Sequence, residues 1–176
     1  SGSTSVANAN TLAADTTGVI TATITETDAS TLATLTESTN AYTITVGDSS
    51  VTAANLNTID GATTVAVTAT AVTTITGTAS AANTAYASSG INGLGNEAVT
   101  LSDTTLAVAT LNTLNGNTTG VVNAATVTTL TGAASAMNTA YTAGGNSEIS
   151  GLGNEAITLD DTTLAATVLN LSLIHI

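Results

Sequence analysis

No lysine or arginine occurs among the 176 residues, against 12 acidic side chains, so the formal charge is −12. Without basic side chains there is nothing to neutralise phosphates, which excludes nucleic acid and anionic membrane surfaces as ordinary partners. Ion pairs are restricted to the chain amine and the single histidine, His175. Cysteine is absent, so disulfides and thiolate metal sites are excluded and the redox compartment is left open. Proline is absent as well, and chain reversals fall to Gly, Asn and Asp. Phenylalanine and tryptophan are missing too, so the 43% of hydrophobic residues comes mostly from Ala, Val, Leu and Ile. That share is too high for a charge-rich disordered tail. A core without large aromatics is thin and suits a stack of shallow layers. No apolar run approaches the ~20 residues that span a bilayer.

What is present is a tandem repeat. LNTIDGATT at 56–64 returns as LNTLNGNTT at 111–119, and VTTITGTASAANTAY at 72–86 returns as VTTLTGAASAMNTAY at 127–141. Leu56 recurs as Leu111 and Tyr86 as Tyr141, both at an offset of 55 residues. GLGNEAVTL from Gly93 recurs as GLGNEAITL from Gly151, at an offset of 58, so three residues enter within TAGGNSEIS. An insertion with intact flanks belongs in a surface loop between stacked elements. The array divides into a diverged partial unit at about 1–55, a unit at 56–110 and a unit at 111–170. It is expected to be a slice of a longer array, cut at both ends, because the opening SGSTSVANAN shows neither an initiator Met nor a signal peptide. The repeat stops at Asn170. Residues 171–176, LSLIHI, resemble the translation of a transposon-end adapter used in sequencing libraries and are set aside as non-native, His175 with them.

Strand-like alternation of Thr with β-branched residues occurs at 18–24, 41–46, 63–69, 97–101, 120–124 and 155–159. Between these stretches the period lengthens. Leu56 and Ile59, and Leu111 and Leu114, mark apolar stripes on short helices, and Met137 and Tyr141 share one face of another, at 133–145. Asp48, Asp103 and Asp160 or Asp161 sit where the N-cap of the following helix belongs, with Asp60-Gly61 and Asn115-Gly116 as stops. This rhythm predicts an α/β fold, an open solenoid of short parallel strands alternating with short helices. The alternative is an all-β parallel β-helix.

GLGNEAV at 93–99 and GLGNEAI at 151–157 resemble the calcium-binding nonapeptide of secreted repeat-in-toxin proteins. That resemblance makes Asn96, Glu97, Asn154 and Glu155 candidate calcium ligands. Against it, Glu replaces the usual Asp, and the motif occurs once per unit where that family needs successive turns. The other reading is a turn that uses Gly for left-handed backbone and Asn for a local bond. Thr21/Thr23, Thr43/Thr45 and Thr68/Thr70 form T-x-T pairs similar to the ice-binding faces of some β-solenoids, although later strands break the pattern. Asn117-Thr118-Thr119 is a formal glycosylation sequon. Ser and Thr are plentiful, but no base stands by to activate a nucleophile, so no catalytic residue is assigned and an enzyme is not expected.

The set D-[ST]-[ST]-[VL]-x-A-x-x-L-N, T-T-G-V-[IV] and G-L-G-N-E-A-[VI]-T-L resembles the repeats of very large surface or secreted proteins of aquatic bacteria, cyanobacteria among them. The resemblance covers about 5–170. It implies an acidic, threonine-rich, adhesin-like segment at the bacterial cell surface or outside the cell, structural or adhesive, with no cofactor required. Its partners would be neighbouring repeats of the same longer chain. The alternative function is a calcium-dependent binding module of the repeat-in-toxin type.

Overall fold

The computed structural model describes residues 2–163. The segment 171–176 and the last apolar stripe before it lie outside the described residues. In chain order the elements are β1 (Gly2–Thr4), α1 (Val6–Asp15), β2 (Thr21–Ile24), α2 (Ala29–Leu32), β3 (Ala41–Thr43), β4 (Ser50–Thr52), α3 (Ala53–Gly61) and β5 (Val67–Thr68). They continue with β6 (Thr74–Gly77), α4 (Ala79–Ala87), β7 (Ile91–Asn92), β8 (Ala98–Leu101), β9 (Thr105–Ala107), α5 (Val108–Asn117) and β10 (Val122–Asn123). The last are β11 (Thr129–Gly132), α6 (Ala134–Gly145), β12 (Ile149–Ser150) and β13 (Ala156–Leu159). The fold is α/β with parallel strands. Six helices among the described residues rule out the all-β alternative. None is long and apolar enough to cross a membrane.

The chain forms two compact units, Ser1–Ile75 with Thr84–Leu94, and Thr76–Asn83 with Gly95–Ile176. In the first, Gly2 pairs with Ala22 and Ala22 with Tyr42, so β1, β2 and β3 follow one another at steps of 20 residues. Thr45 bridges Thr68 and Val67 pairs with Ile91, steps of 23 and 24. In the second unit Val99 pairs with Val122 and Val122 with Ile149, steps of 23 and 27. Thr105 likewise pairs with Thr129 and Thr129 with Ala156, steps of 24 and 27. Each step contains one helix that connects the paired strands. The three inserted residues account for the longer steps, but they lengthen α6, which has 12 residues against nine in α4, and do not enter the surface loop where they were expected; three residues separate helix and next strand in both repeats.

Burial follows the alternation. Ala22, Ile24, Tyr42, Ile44 and Val46 point inward in the first unit, while Thr21, Thr23, Thr43 and Thr45 face out. Helix α3 buries Ala53, Leu56 and Ile59, and α5 buries Val108, Leu111 and Leu114. Each such leucine or isoleucine contributes about 1.5–3 kcal/mol by leaving water. The expected stops are displaced slightly: α3 includes Asp60 and Gly61, and α5 runs through Gly116 to Asn117. The segments before these helices, read as part of the helical period, are the short strands β4 and β9.

Asparagines join successive turns at the helices. The Nδ2 of Asn10 donates to Thr34 O at 2.8 Å, that of Asn83 to Thr110 O at 3.0 Å, and that of Asn112 to Ala136 O at 2.9 Å. Their separations are 24, 27 and 24 residues, the first longer than the 20-residue strand steps around it. A further local device recurs at Thr-Thr pairs that precede a strand. The hydroxyls of Thr16, Thr63 and Thr118 accept from the backbone N–H two residues on, at 3.1, 3.1 and 3.0 Å, which turns the chain into the next strand.

Candidate functional site

The chemistry-bearing side chains of this protein are its carboxylates, and the structure directs most of them at backbone amides. The aspartates expected to cap the helix that follows them cap an earlier one. Asp103 Oδ2 accepts from the N–H of Ala79, the first residue of α4, at 2.8 Å. Asp48 Oδ2 accepts from Ala29 N at the start of α2, and Asp161 Oδ2 from Ala134 N at the start of α6, at 2.6 and 2.7 Å. Glu26 does the same for α1, with Oε2 at 3.1 Å from Val6 N. In each case the acid lies 19–27 residues beyond the helix it caps, one structural turn later. The physical reason is that the first N–H of a helix is an orphan donor at a positive pole, and a neighbouring turn brings an acceptor to it as readily as the preceding residue does.

The helices that follow these aspartates are capped otherwise. Thr52 caps α3 by accepting from Asn55 N at 3.1 Å, and α5 has Ala107 at its N-cap, with no side-chain bond there. Asp28, not singled out by the sequence pattern, is a local N-cap of α2, accepting from Thr31 N at 2.9 Å and from the Ser30 hydroxyl at 2.9 Å. Bonds from Thr31, and then from Ser30, hold its carboxyl below the usual carboxylate range.

The four calcium candidates fall in two equivalent turns. Glu97 is fully buried, and its Oε2 accepts from the N–H groups of Gly95 at 2.9 Å and Asn96 at 3.1 Å. Glu155 is also buried and accepts from Gly153 N at 2.9 Å and from the Tyr141 hydroxyl at 2.9 Å. Burial, followed by the bond to Glu155, pushes the Tyr141 phenol well above its ordinary pKa. Asn96 and Asn154 are exposed at the tips of the turns. Each carboxylate therefore accepts from backbone N–H groups of its own turn, whereas calcium takes six to eight oxygens. No group of three or more His, Cys, Asp or Glu able to hold a metal is found among the described residues.

The glycines of these turns are required. Gly95 and Gly153 adopt φ of +137° and +131°, and Gly151, at +83°, passes so close to Ala125 that a Cβ would lie 2.6 Å from its nitrogen. The Tyr141–Glu155 bond is not legible in the glycine-turn motif. Its only sequence signal is that a Tyr and a Glu recur together in both units.

Two further expectations are located. Asn117 of the sequon is half-buried and donates from Nδ2 to Asn83 Oδ1 at 2.9 Å, so the atom a glycan would occupy is engaged. A cleft of about 450 Å³ in the first unit carries Asp15 and Glu37 beside Asn40, whose Oδ1 accepts from Ile20 N at 2.8 Å. No family model matches the chain, and no curated protein and no solved structure matches it.

Proposed function

We propose that this chain is a structural or adhesive repeat segment of a bacterial surface or secreted protein, an open solenoid that works as a spacer and does not catalyse a reaction. The observation that carries this reading is the set of carboxylates that cap a helix one turn away, at Glu26, Asp48, Asp103 and Asp161. Such bonds fasten each turn to its neighbour and can be repeated indefinitely by repeating the sequence. Stacks of this kind gain stability from every added neighbour. The buried carboxylates serve turns, not reactants, which supports a scaffold over an enzyme. The partners are further repeats of the same kind, and the setting is extracellular or at the cell surface.

A length series tests this. Inserting a second copy of residues 56–110 adds two turns, each one strand spacing high, so the particle should lengthen by about 10 Å. Small-angle scattering should show that increase with an unchanged cross-section, together with a higher unfolding midpoint. An inserted copy that widens the particle, or leaves the midpoint where it was, refutes the solenoid.

A further inference from the structure

The first unit contains a cleft that the spacer reading does not use. Nine of the twelve carboxylates accept hydrogen bonds, from helix amides, from glycine turns or from neutral side chains. Asp15, Glu37 and Asp160 accept none among the described residues. Two of these three, Asp15 and Glu37, line one cleft of about 450 Å³. That volume lies in the range of small-molecule sites, about 300–1,000 Å³.

Two features of the cleft serve no purpose in the fold. Asp15 is the last residue of α1, a helix of 10 residues, so its carboxylate sits at the negative pole, where an acid is destabilising. The same helix end has no cap: Thr16 is extended, and among the described residues no N–H beyond the helix returns to its last carbonyls. With no lysine or arginine in the chain, the positive charge that this end calls for comes from outside. The second feature is Asn40, which lines the cleft and is only 2% exposed. Its Oδ1 is held by Ile20 N at 2.8 Å, which fixes the amide, and its Nδ2 donates to no atom among the described residues. A buried donor left without an acceptor is costly, so this one calls for an oxygen from a ligand.

We infer that this cleft binds a primary ammonium group carried on a hydroxylated body, as in an amino sugar. Asp15, Glu37 and the last carbonyls of α1 supply acceptors for the N–H groups of an ammonium. A hydroxyl or ring oxygen beside that group answers Asn40 Nδ2. The hydroxyls of Thr17 and Thr39, exposed and without a bond among the described residues, both donate and accept, which suits further sugar hydroxyls. A bare metal ion fits less well, because Asn40 offers an N–H where calcium takes six to eight oxygens. A lysine side chain also fits less well, since its apolar stem finds only the methyl groups of Ala13 and Ala14.

The test is a titration of the isotope-labelled full chain with D-glucosamine at about pH 6, where such an amine carries its proton, followed by amide resonances. The side-chain amide of Asn40 and the backbone amides of Thr16 and Gly18 should shift and saturate. N-acetyl-D-glucosamine, which lacks the charge, and methylammonium, which lacks the oxygens, should each bind at least about tenfold more weakly. Glu37→Gln and Asp15→Asn, both at exposed positions, should weaken glucosamine binding by about tenfold. Asp160→Asn removes an equal charge outside the cleft and should leave binding unchanged. Circular dichroism establishes that each variant is folded. Asn40 resonances that do not move with glucosamine overturn the inference, as does equal binding of methylammonium or of N-acetylglucosamine, or an equal loss in Asp160→Asn. Calcium chloride that moves the same resonances at lower concentration assigns the cleft to a metal and also overturns it. The cleft plays no part in the length series above, so the two readings fail separately.

Discussion

Replacing Asp103 with Ala removes the acceptor at 2.8 Å from the first N–H of α4, 24 residues earlier in the chain. Loss of a helix cap costs about 0.5–2 kcal/mol, and a bond to a charged group about 1.5–3 kcal/mol. Asp103 is half-buried, which places the expected loss where these ranges meet, at about 1.5 kcal/mol. In a chain of this size that lowers the melting midpoint by about 3–6 °C. Because the chain forms two compact units, a single transition is not guaranteed, and amide exchange is the better assay. Protection should fall at Ala79 and through the first turn of α4, while Val108, at the head of the helix that follows Asp103, should keep its rate. Asp103→Asn should lose about half as much, since an acceptor remains and the charge opposite the helix pole is lost. Loss of protection at Val108 in place of Ala79, or no loss at either, refutes the capping of one turn by the next.

Tyr141→Phe deletes a buried bond to the Glu155 carboxylate and should cost about 2 kcal/mol in a denaturant titration. Tyr42→Phe should be neutral or stabilising by up to about 1 kcal/mol, because its buried hydroxyl has no partner among the described residues. In alkali both phenols lie above their ordinary pKa in the folded state, so the stability of the fold is unaffected by them below about pH 10 and falls as pH rises beyond it. An unfolding midpoint that stays level between pH 10 and 11.5 contradicts this. In acid the sign reverses: Asp28, lowered when folded, confers stability that is lost as pH falls below the carboxylate range, and exchange at Thr31 N should quicken there in the parent but not in Asp28→Asn. Gly120→Ala drives a Cβ into the Glu97 carbonyl and should cost at least about 2 kcal/mol, whereas Gly116→Ala in α5, with open space and ordinary φ, should gain about 0.5–1 kcal/mol.

The parallel α/β character was legible because threonine alternation and the stripes at Leu56/Ile59 and Leu111/Leu114 carry different periods. Strands as short as β5, β7, β10 and β12, two residues each, carry no period of their own and are fixed by their neighbours. Helix α1 was missed since its buried face is Val6, Ala9 and Ala13, too small to mark a stripe. The acids were legible as caps but not as caps of which helix. A local rule places an aspartate before its own helix; only the stacking of turns brings Asp103 to Ala79. The glycine-rich turns were readable as turns, and the fate of Glu97 and Glu155 inside them was not, because nothing in a linear motif says which way a carboxylate faces.

A chain of 12 acids without a lysine or arginine must still find positive groups for the carboxylates it draws out of water, and the backbone provides them. Glu26, Asp28, Asp48, Asp103 and Asp161 accept from helix N-termini, and Glu97 and Glu155 from the amides of glycine turns. That is seven of the twelve, enough to make amide capture the main electrostatic device of the fold. Two more bond to neutral side chains, Asp60 to the Ser88 hydroxyl and Glu148 to the Asn115 amide. The consequence separates this protein from one held by ion pairs. Exposed ion pairs weaken as salt screens them, while a short bond from a partly buried amide to a carboxylate is screened far less, and salt relieves the mutual repulsion of the acids. Raising sodium chloride from 10 mM to 500 mM should therefore raise the unfolding midpoint. A midpoint that falls over that range means that long-range attraction, and not amide capture, holds the turns together.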